Sequence, residues 1–438
     1  MLSSPSSKSD TAKRNKWIVA HSLTWMSRIL VGALFIFSGF VKAVDPWGSI
    51  YKFEEYFRAL GLPVIHSLLL ISVFLLCAFE FIVGVCVLTG SYRRLSPIAA
   101  LLFMVVMLPL TLWVAVSDPV KDCGCFGDFL VISNWATFWK NVALTLLIIW
   151  LLKFNSRQPT VITPALQWIE IVFTLIFISA VIFYGYFIQP ALDFRPYAVG
   201  TPIAGEQVSL TGDQSLKFVY EKNGVQKEFS VYDELPSEDD GWIFVERKGD
   251  DKNVPETEDE KTFRIWDREG NVDETDQVLS ADSIILLLIP DLASVSPAKT
   301  WEIKTLNEAA AANGIEMIAV VSGSTEQIDD WEDLSMPQYE IYTSDDTAIK
   351  ELARGNPAVV FIKDGIIEWK STLGALNVAE TIKDGKFDAE AYKIDSQTML
   401  RNWTLVYLAA MLVLVAFSLL PRLRKVYVRR DDKARPEE

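Results

Sequence analysis

The sequence predicts two fold classes in one chain: an all-α membrane domain and an α/β domain outside the membrane. Three observations carry this. Six apolar runs are long enough to cross about 30 Å of hydrocarbon, which takes roughly 17–25 residues. The acidic charge is concentrated: 190–402 holds 20 Lys/Arg against 43 Asp/Glu, a net of −23, and the remainder has 21 against 13, a net of +8. From 281 onward, buried-strand patterns alternate with helical ones, as in α/β domains. The chain-wide values, 438 residues, 50% hydrophobic and a net charge of −15, describe neither part.

These figures exclude several classes. The chain is too long for one small soluble domain. No folded segment carries the basic stripe that neutralises phosphates, so nucleic acid is not an expected partner. Four cysteines cannot make a disulfide-rich scaffold. The apolar content is too high for wholesale disorder.

The expected spans are 28–44, 66–89, 97–116, 136–152, 165–189 and 403–420. Arg28 and Lys42 bracket the first, where long basic side chains can snorkel to the interface. The same run also fits a cleaved leader, with Lys13, Arg14 and Lys16 as its charged part and Val41 and Ala43 at the cleavage site. Pro109 in the third span predicts a kink. Basic residues gather in the N-terminus, at Arg93 and Arg94, at Lys153 and Arg157, and in the tail from Arg422 to Arg435. With six spans all four groups fall on one side, and the positive-inside rule makes that side cytoplasmic. Both termini are then cytoplasmic. The loops 44–65 and 117–135 and the acidic segment 190–402 lie on the other face.

The order of parts follows. Residues 1–27 are a cytoplasmic N-terminus, 28–152 a four-helix membrane domain, and 153–195 a fifth helix and tether. Residues 196–280 form an acidic, β-rich segment, with short alternating runs at 216–220 and 262–266. Its stretch 233–260 has twelve acidic and three basic residues and reads as a solvated loop. The α/β domain is 281–395. Its expected strands are 284–289, 315–321, 339–342, 358–362 and 366–369. Its expected helices are 297–312, 326–334, 347–353 and 377–383. Asn313-Gly314 stops the first of these helices, and Asp364-Gly365 is a hairpin turn. The sixth span and a basic cytoplasmic tail, 421–438, close the chain.

Among the charged groups in the spans, Glu80 lies about fourteen residues into the second, and an intramembrane carboxylate is either a functional group or half of a structural ion pair that fixes helix register. Arg28 is its expected ion-pair partner. Glu170 is expected to reach the interface. Cys77 and Cys86 fit as small buried apolar residues.

Cys123 and Cys125 stand in Asp122-Cys123-Gly124-Cys125-Phe126-Gly127-Asp128, on the expected outer side. A Cys-x-Cys disulfide closes a very small ring, and strained, exposed disulfides are the labile ones. Glycine gives the backbone freedom such a loop needs. Lys42 and Lys140 could approach the loop and favour the thiolate, whereas Asp122 and Asp128 oppose it. The sequence leaves that balance open, and a structural disulfide remains the other reading. A metal is not expected, because two thiolates fall short of the four ligands of a zinc site and neither histidine is spaced with them.

These residues carry a resemblance. Arg28-Ile-Leu-Val-Gly32-Ala-Leu-Phe-Ile-Phe-Ser38-Gly39-Phe-Val-Lys42 is similar to the first helix of the DoxX family. Glu80, the string Cys123-Gly-Cys-Phe-Gly127, and Trp135-Ala-Thr-Phe138-Trp-Lys140-Asn141 resemble its methylamine-utilisation MauE branch. The resemblance implies a DoxX/MauE-like four-helix bundle with additional transmembrane helices in a bacterial inner membrane. It implies a thiol–disulfide or disulfide-maturation role for Cys123 and Cys125, with Lys140 and Glu80 as supporting catalytic residues. A protein thiol or disulfide outside the cytoplasm would be its partner, besides the lipid bilayer. DoxX relatives also bring a quinone into view. The DsbB enzymes and vitamin K epoxide reductase set a Cys-x-x-Cys beside a quinone, and this chain has no such motif. The other function class is a non-catalytic membrane scaffold whose Cys pair is structural.

The string Gly355-Asn356-Pro357-Ala358-Val359-Val360-Phe361-Ile362-Lys363-Asp364-Gly365 resembles the thioredoxin fold. That resemblance makes Pro357 a cis-proline and places Asn356 and Pro357 at a partner-binding surface. The position of the thioredoxin Cys-x-x-Cys reads Pro290-Asp291-Leu292-Ala293-Ser294-Val295-Ser296-Pro297, without cysteine. A docking role without dithiol chemistry is therefore implied for this domain.

Overall fold

The helices form where hydropathy demands them. The structure, a computed structural model, describes residues 6–120, 122–154, 159–203, 217–222, 225–230, 243–248, 263–376, 382–383, 386–387 and 395–434. It divides into two compact units. The first is Met1–Arg195, Ala353–Val359 and Lys370–Glu438, and the second is Pro196–Leu352 and Val360–Trp369.

In the first unit the long helices are α1 (Ser6–Val44), α3 (His66–Thr89), α4 (Leu95–Ser117), α5 (Asn134–Phe154), α6 (Gln167–Phe187) and α11 (Ser396–Ala434). Among the described residues, six segments are long and apolar enough to cross a membrane: Ile18–Val44, His66–Thr89, Leu95–Ser117, Asn134–Phe154, Pro164–Phe187 and Ser396–Leu420. All six expected spans are therefore helices. The first and last begin earlier than hydropathy alone suggests, because the helices continue beyond their apolar runs.

Close approach of α1 and α3 organises this unit. A Cβ on Gly84 would stand 2.6 Å from the Ile36 nitrogen, and one on Gly39 would stand 2.7 Å from the Phe81 nitrogen. Small residues let helix backbones meet where lipid offers no hydrophobic drive. Val31, Phe35, Val83 and Val87 then pack against Met104 of α4 and Leu144 and Ile148 of α5. On the other side, Val44, Leu69, Val73 and Phe81 pack against Ile178 and Ile182 of α6. α4 runs on through Pro109, and the Thr111 hydroxyl two residues later donates to the Met107 carbonyl at 2.8 Å.

The expected loop 44–65 is largely a helix, α2 (Pro46–Ala59). Asp45 caps it by accepting from the Gly48 N–H at 3.0 Å, and Pro46 occupies the first turn, where no N–H is needed. Trp47 and Ile50 bury beside Leu69 and Val73, so α3 starts out level with α2.

One charged residue departs from expectation. Arg28 does not pair with Glu80. It is fully buried and donates to the carbonyls of Val87 at 3.3 Å, Leu88 at 3.4 Å and Pro159 at 3.2 Å. A guanidinium there satisfies carbonyls that the end of α3 leaves open. Gly90 makes this fit, since a Cβ on it would lie 1.8 Å from the Arg28 Nη2. Glu170, in the first turn of α6, is enclosed by protein rather than open to its surroundings. It is fully buried and accepts hydrogen bonds from Thr89 Oγ1 at 2.7 Å and from Ser91 Oγ.

In the second unit, β1 (Lys217–Lys222), β2 (Val225–Ser230) and β3 (Ile243–Lys248) form an antiparallel sheet in the order β2-β1-β3. β3 lies inside the acidic stretch expected to be loop; the rest of that stretch is outside the described residues. A short helix, α7 (Thr275–Leu279), leads to the α/β sheet. Its strands are β4 (Ser283–Ile289), β5 (Glu316–Val321), β6 (Glu340–Thr343), β7 (Ala358–Lys363) and β8 (Ile366–Thr372), in the order β6-β5-β4-β7-β8. β4, β5 and β6 are parallel, and β4 is buried from Ile284 to Ile289, as a strand covered on both faces must be. The connections are α8 (Lys299–Ala312), α9 (Thr325–Ser335) and α10 (Asp346–Leu352). Ser324 and Gln327 start α9 with a reciprocal capping box. Asp364 and Gly365 turn β7 into β8 with φ of 51° and 74°. The Asn356–Pro357 peptide bond is cis.

The helix expected over 377–383 is not found where the chain is described. Residues 377–381 lie outside the described residues. Ile382–Lys383 is a short strand, β9, paired antiparallel with β10 (Lys386–Phe387).

Candidate functional site

The site is built where the loop 118–133 meets the ends of α1, α2 and α5 in the first unit. Gly124 at φ 65° and Gly127 at φ 53° give this loop two left-handed turns. The Gly127 N–H closes one of them on the Gly124 carbonyl at 3.2 Å. A Cβ on Gly124 would press on Lys52 Cγ at 3.1 Å, so glycine serves both conformation and space.

The turn sets the Cys123 and Cys125 sulfurs 3.3 Å apart, both as free thiols and both 8% exposed. The backbone around them is tied down. Tyr56 of α2 donates to the Cys123 carbonyl at 3.1 Å, and Ser38 of α1 donates to the Cys125 carbonyl at 2.8 Å. Asp122 accepts from the Gly124 N–H at 2.8 Å and pairs with Lys52 at 2.9 Å.

Charges then surround Cys125. Lys42 Nζ donates to Ser38 Oγ at 2.9 Å and to both oxygens of Glu80 at 2.9 Å each. Both partners of this ion pair are buried. Lys140 of α5 places its Nζ 4.1 Å from the centroid of the Phe126 ring. Cys125, Lys42, Glu80, Lys140, Ser38 and Asn141 line one small cavity, closed on its other side by Phe35, Met104 and Leu144. Its volume is about 30 Å³, room for about two waters; a cavity that takes a benzene ring is nearer 150 Å³. The residues present therefore do not fit a quinone head group here.

The two thiols are not equivalent. The hydrogen bond with Cys123 pulls the Cys125 thiol down to about 6; burial opposes this, and Lys140 and Lys42 reinforce it. The same hydrogen bond, together with burial, pushes the Cys123 thiol up. The surroundings thus favour the anion at Cys125 over the anion at Cys123. The contest that the sequence left open goes to the lysines, because Lys52 engages Asp122 and Arg354 engages Asp128.

A second cluster lies at the other end of the same loop. Arg354 donates through Nε and Nη2 to Asp45 Oδ2, at 2.9 and 2.7 Å, and through Nη2 to Asp128. Its guanidinium carbon lies 5.4 Å from the Tyr51 ring centroid. Gln189 clasps its backbone, donating to the Arg354 carbonyl at 2.6 Å and accepting its N–H at 3.1 Å. Burial disfavours this charge, but Asp45 and Asp128 outweigh it and hold the guanidinium ionised. In the tether, Asp193 accepts from Arg195 Nε at 2.7 Å and Lys370 Nζ at 2.9 Å. Burial would raise that carboxyl, but the two cations hold it at about 2.

Of the residues singled out from the sequence, Cys125, Lys140 and Glu80 line one cavity, and Cys123 touches Cys125. Asn356 and Pro357 are not among its lining residues. Sequence reasoning missed Asp45, Lys52, Tyr56 and Arg354. Only Asp45 carried a local signal, the Asp-Pro start of a helix. The other three acquire their roles from partners distant in sequence.

Residues 20–154 match the family described as methylamine utilisation protein MauE. Residues 215–250 match a domain of unknown function, DUF8463. No curated protein matches the chain. The first match contains α1 from residue 20 through α5, and so Lys42, Glu80, Cys123, Cys125 and Lys140. With the six apolar helices it marks a membrane protein that carries a MauE-type domain.

Proposed function

We propose that this MauE-like membrane protein exchanges electrons with protein disulfides or dithiols outside the cytoplasm through Cys123 and Cys125. The observation that carries this reading is the placement of Cys125, 3.3 Å from a second sulfur and in one cavity with Lys42 and Lys140, which favours its thiolate. Structural cysteines in apolar surroundings are instead pushed up and inert.

The exchange balances without a further redox agent. The Cys125 thiolate attacks one sulfur of a partner disulfide, forming a mixed disulfide and releasing a partner thiolate. Cys123 then loses its proton and attacks the Cys125 sulfur, breaking the mixed bond and releasing the second partner thiolate. The partner is reduced by two electrons and the Cys123–Cys125 dithiol is oxidised to a disulfide. The protons lost by the two cysteines are taken up by the two leaving thiolates. The reverse sequence oxidises a partner dithiol. Lys42 and Lys140 stabilise the Cys125 anion, and Glu80 holds Lys42 in place and can accept its proton. No step runs through a quinone.

The docking part of this proposal is the segment around Asn356 and Pro357 in a thioredoxin-like sheet. It is supported by the strand order, with β4 central. The positive-inside rule supports an inner membrane placement with both termini cytoplasmic and 190–402 outside. The burial of both thiols favours one rival reading, a scaffold whose Cys pair only staples the loop.

Alkylation of cells with a thiol-specific mass tag, with and without prior reduction, separates the two. The redox reading expects both states of the pair in growing cells. It also expects a trapped mixed disulfide when Cys123→Ser leaves Cys125 without its resolving partner. A pair found in one state only, with no trapped species, leaves the scaffold reading.

A further inference from the structure

We propose that Arg354 is a positioning residue for the Cys123–Cys125 pair: by holding Asp128 and Asp45 together, it fixes the loop that presents Cys125 to Lys42 and Lys140. This deepens the thiol–disulfide reading above and rests on it.

The geometry is that of a clamp. The Cys-x-Cys loop is tied at one end by Lys52 to Asp122, the residue before Cys123. The other end is tied through Asp128, three residues after Cys125, and Arg354 is what holds Asp128. The far side of the clamp is rigid. Asp45 caps α2, and the Gly48 site is so tight that a Cβ would lie 2.8 Å from Asp45 Oδ2 and 3.0 Å from Arg354 Nη2. Gln189 fixes the Arg354 backbone through both its N–H and its carbonyl. A planar guanidinium can bridge two carboxylates in this way, whereas an ammonium presents only a point charge.

Burial supplies the second argument. The Arg354 side chain is 5% exposed, whereas that of Asp128 is 38% exposed. A buried arginine that reaches out to a half-exposed carboxylate on the cysteine loop exceeds what holding its own segment requires. Asp45 and Gln189 already accomplish that. Contact with Asp128 adds a tie at the far end of the loop, beyond those that Lys52, Tyr56 and Ser38 make to Asp122, Cys123 and Cys125.

The groups that set the charge of Cys125 come from every element around it. They are Cys123 on the loop, Lys42 on α1, Glu80 on α3 and Lys140 on α5; the other titratable groups nearby are Asp122 and Asp128 on the loop, paired with Lys52 and Arg354, and Tyr56 on α2. Cys125 profits from the lysines only while the loop keeps it in its slot. Loss of the clamp should therefore return Cys125 toward an ordinary thiol near 8.5. A residue that merely stabilised the fold would leave the titration of Cys125 where it is.

The test uses the purified full-length protein in detergent, with Cys123 and Cys125 reduced, and follows alkylation of Cys125 by iodoacetamide against pH, read by peptide mass. In the parent protein the rate should be fully developed above about 6 and fall as pH drops through it. Asp128→Asn removes only the exposed end of the clamp and should raise the midpoint by about one unit, a roughly tenfold loss of thiolate at pH below both midpoints. Arg354→Lys should shift it in the same direction, and the double variant should add little to either. A midpoint unchanged in Asp128→Asn overturns the proposal, whatever Arg354→Lys does. Since no partner takes part, an in-cell failure of the redox reading would leave this result standing, and the two failures are distinguishable.

Discussion

At the scale of the residue, the Lys42–Glu80 pair is the costly feature of this bundle. Two charges are buried with 2.9 Å contacts, and the pair is satisfied by Ser38 on one side. Removing one partner leaves the other charge uncompensated, which typically costs about 3–5 kcal/mol, whereas replacing both with apolar groups is often close to neutral. Glu80→Gln and Lys42→Met should each lower the unfolding free energy of the protein in detergent by that amount. The double variant Lys42→Met with Glu80→Leu should recover most of it. Recovery of stability without recovery of Cys125 reactivity is the expected result, because Lys42 also serves the thiolate. A double-variant loss equal to the sum of the two single losses would show that the pair is not coupled. Hydropathy made Glu80 legible as an anomaly in an apolar run. Its partner was not legible, because choosing Lys42 over Arg28 depends on how far α3 is displaced along α1.

At the scale of the element, that displacement is set by glycines. Gly32, Gly39 and Gly84 lie where the α1 and α3 backbones meet, and any side chain there collides with backbone rather than with a flexible tip. Gly84→Val should therefore separate the helices. It should lower the unfolding temperature by many degrees and raise the alkylation of Cys77, which is fully buried in the same interface. Substitution of Gly61, which has open space around it, should leave Cys77 protected. A Gly84→Val protein with parent stability and protected Cys77 would contradict the close-crossing account. The spans themselves were legible because their signal is local: each needs only its own run of apolar residues. α2 was read as loop because Trp47, Ile50 and Tyr51 do not form a span. Its Asp45-Pro46 start is a helix signal, which the neighbouring spans overshadowed. The α/β strands were legible for a similar reason, since β4 and β5 are unbroken apolar runs between turn residues. The short β9 and β10 pair has no such pattern.

At the scale of the whole molecule, the charge asymmetry in the sequence makes a prediction of its own. The 190–402 segment carries −23, and the basic groups flank the other ends of the spans. Single cysteines placed at Ser7 and at Asn271, in a background lacking Cys123 and Cys125, should report opposite sides. A membrane-impermeant maleimide added to intact spheroplasts should label position 271 and should reach position 7 only after lysis. Labelling of both before lysis would overturn the assigned topology. The candidate site was half legible at this scale. The Cys-Gly-Cys string, Lys140 and Glu80 stood out by type and place. Arg354 did not, since it lies more than two hundred residues from the loop it holds.

The tightness of the cysteine slot has a kinetic consequence. Both sulfurs are more than nine-tenths covered, and the space beside Cys125 admits water and nothing as large as a peptide. Displacement at sulfur needs three sulfurs nearly in a line, so on the proposed thiol–disulfide reading an incoming disulfide must wait for the cysteine loop to open. Encounter and chemistry are then separated by an opening step that belongs to the protein alone. Turnover should follow the partner's concentration when it is scarce and become indifferent to it when it is abundant. The plateau would measure how often the loop lets go.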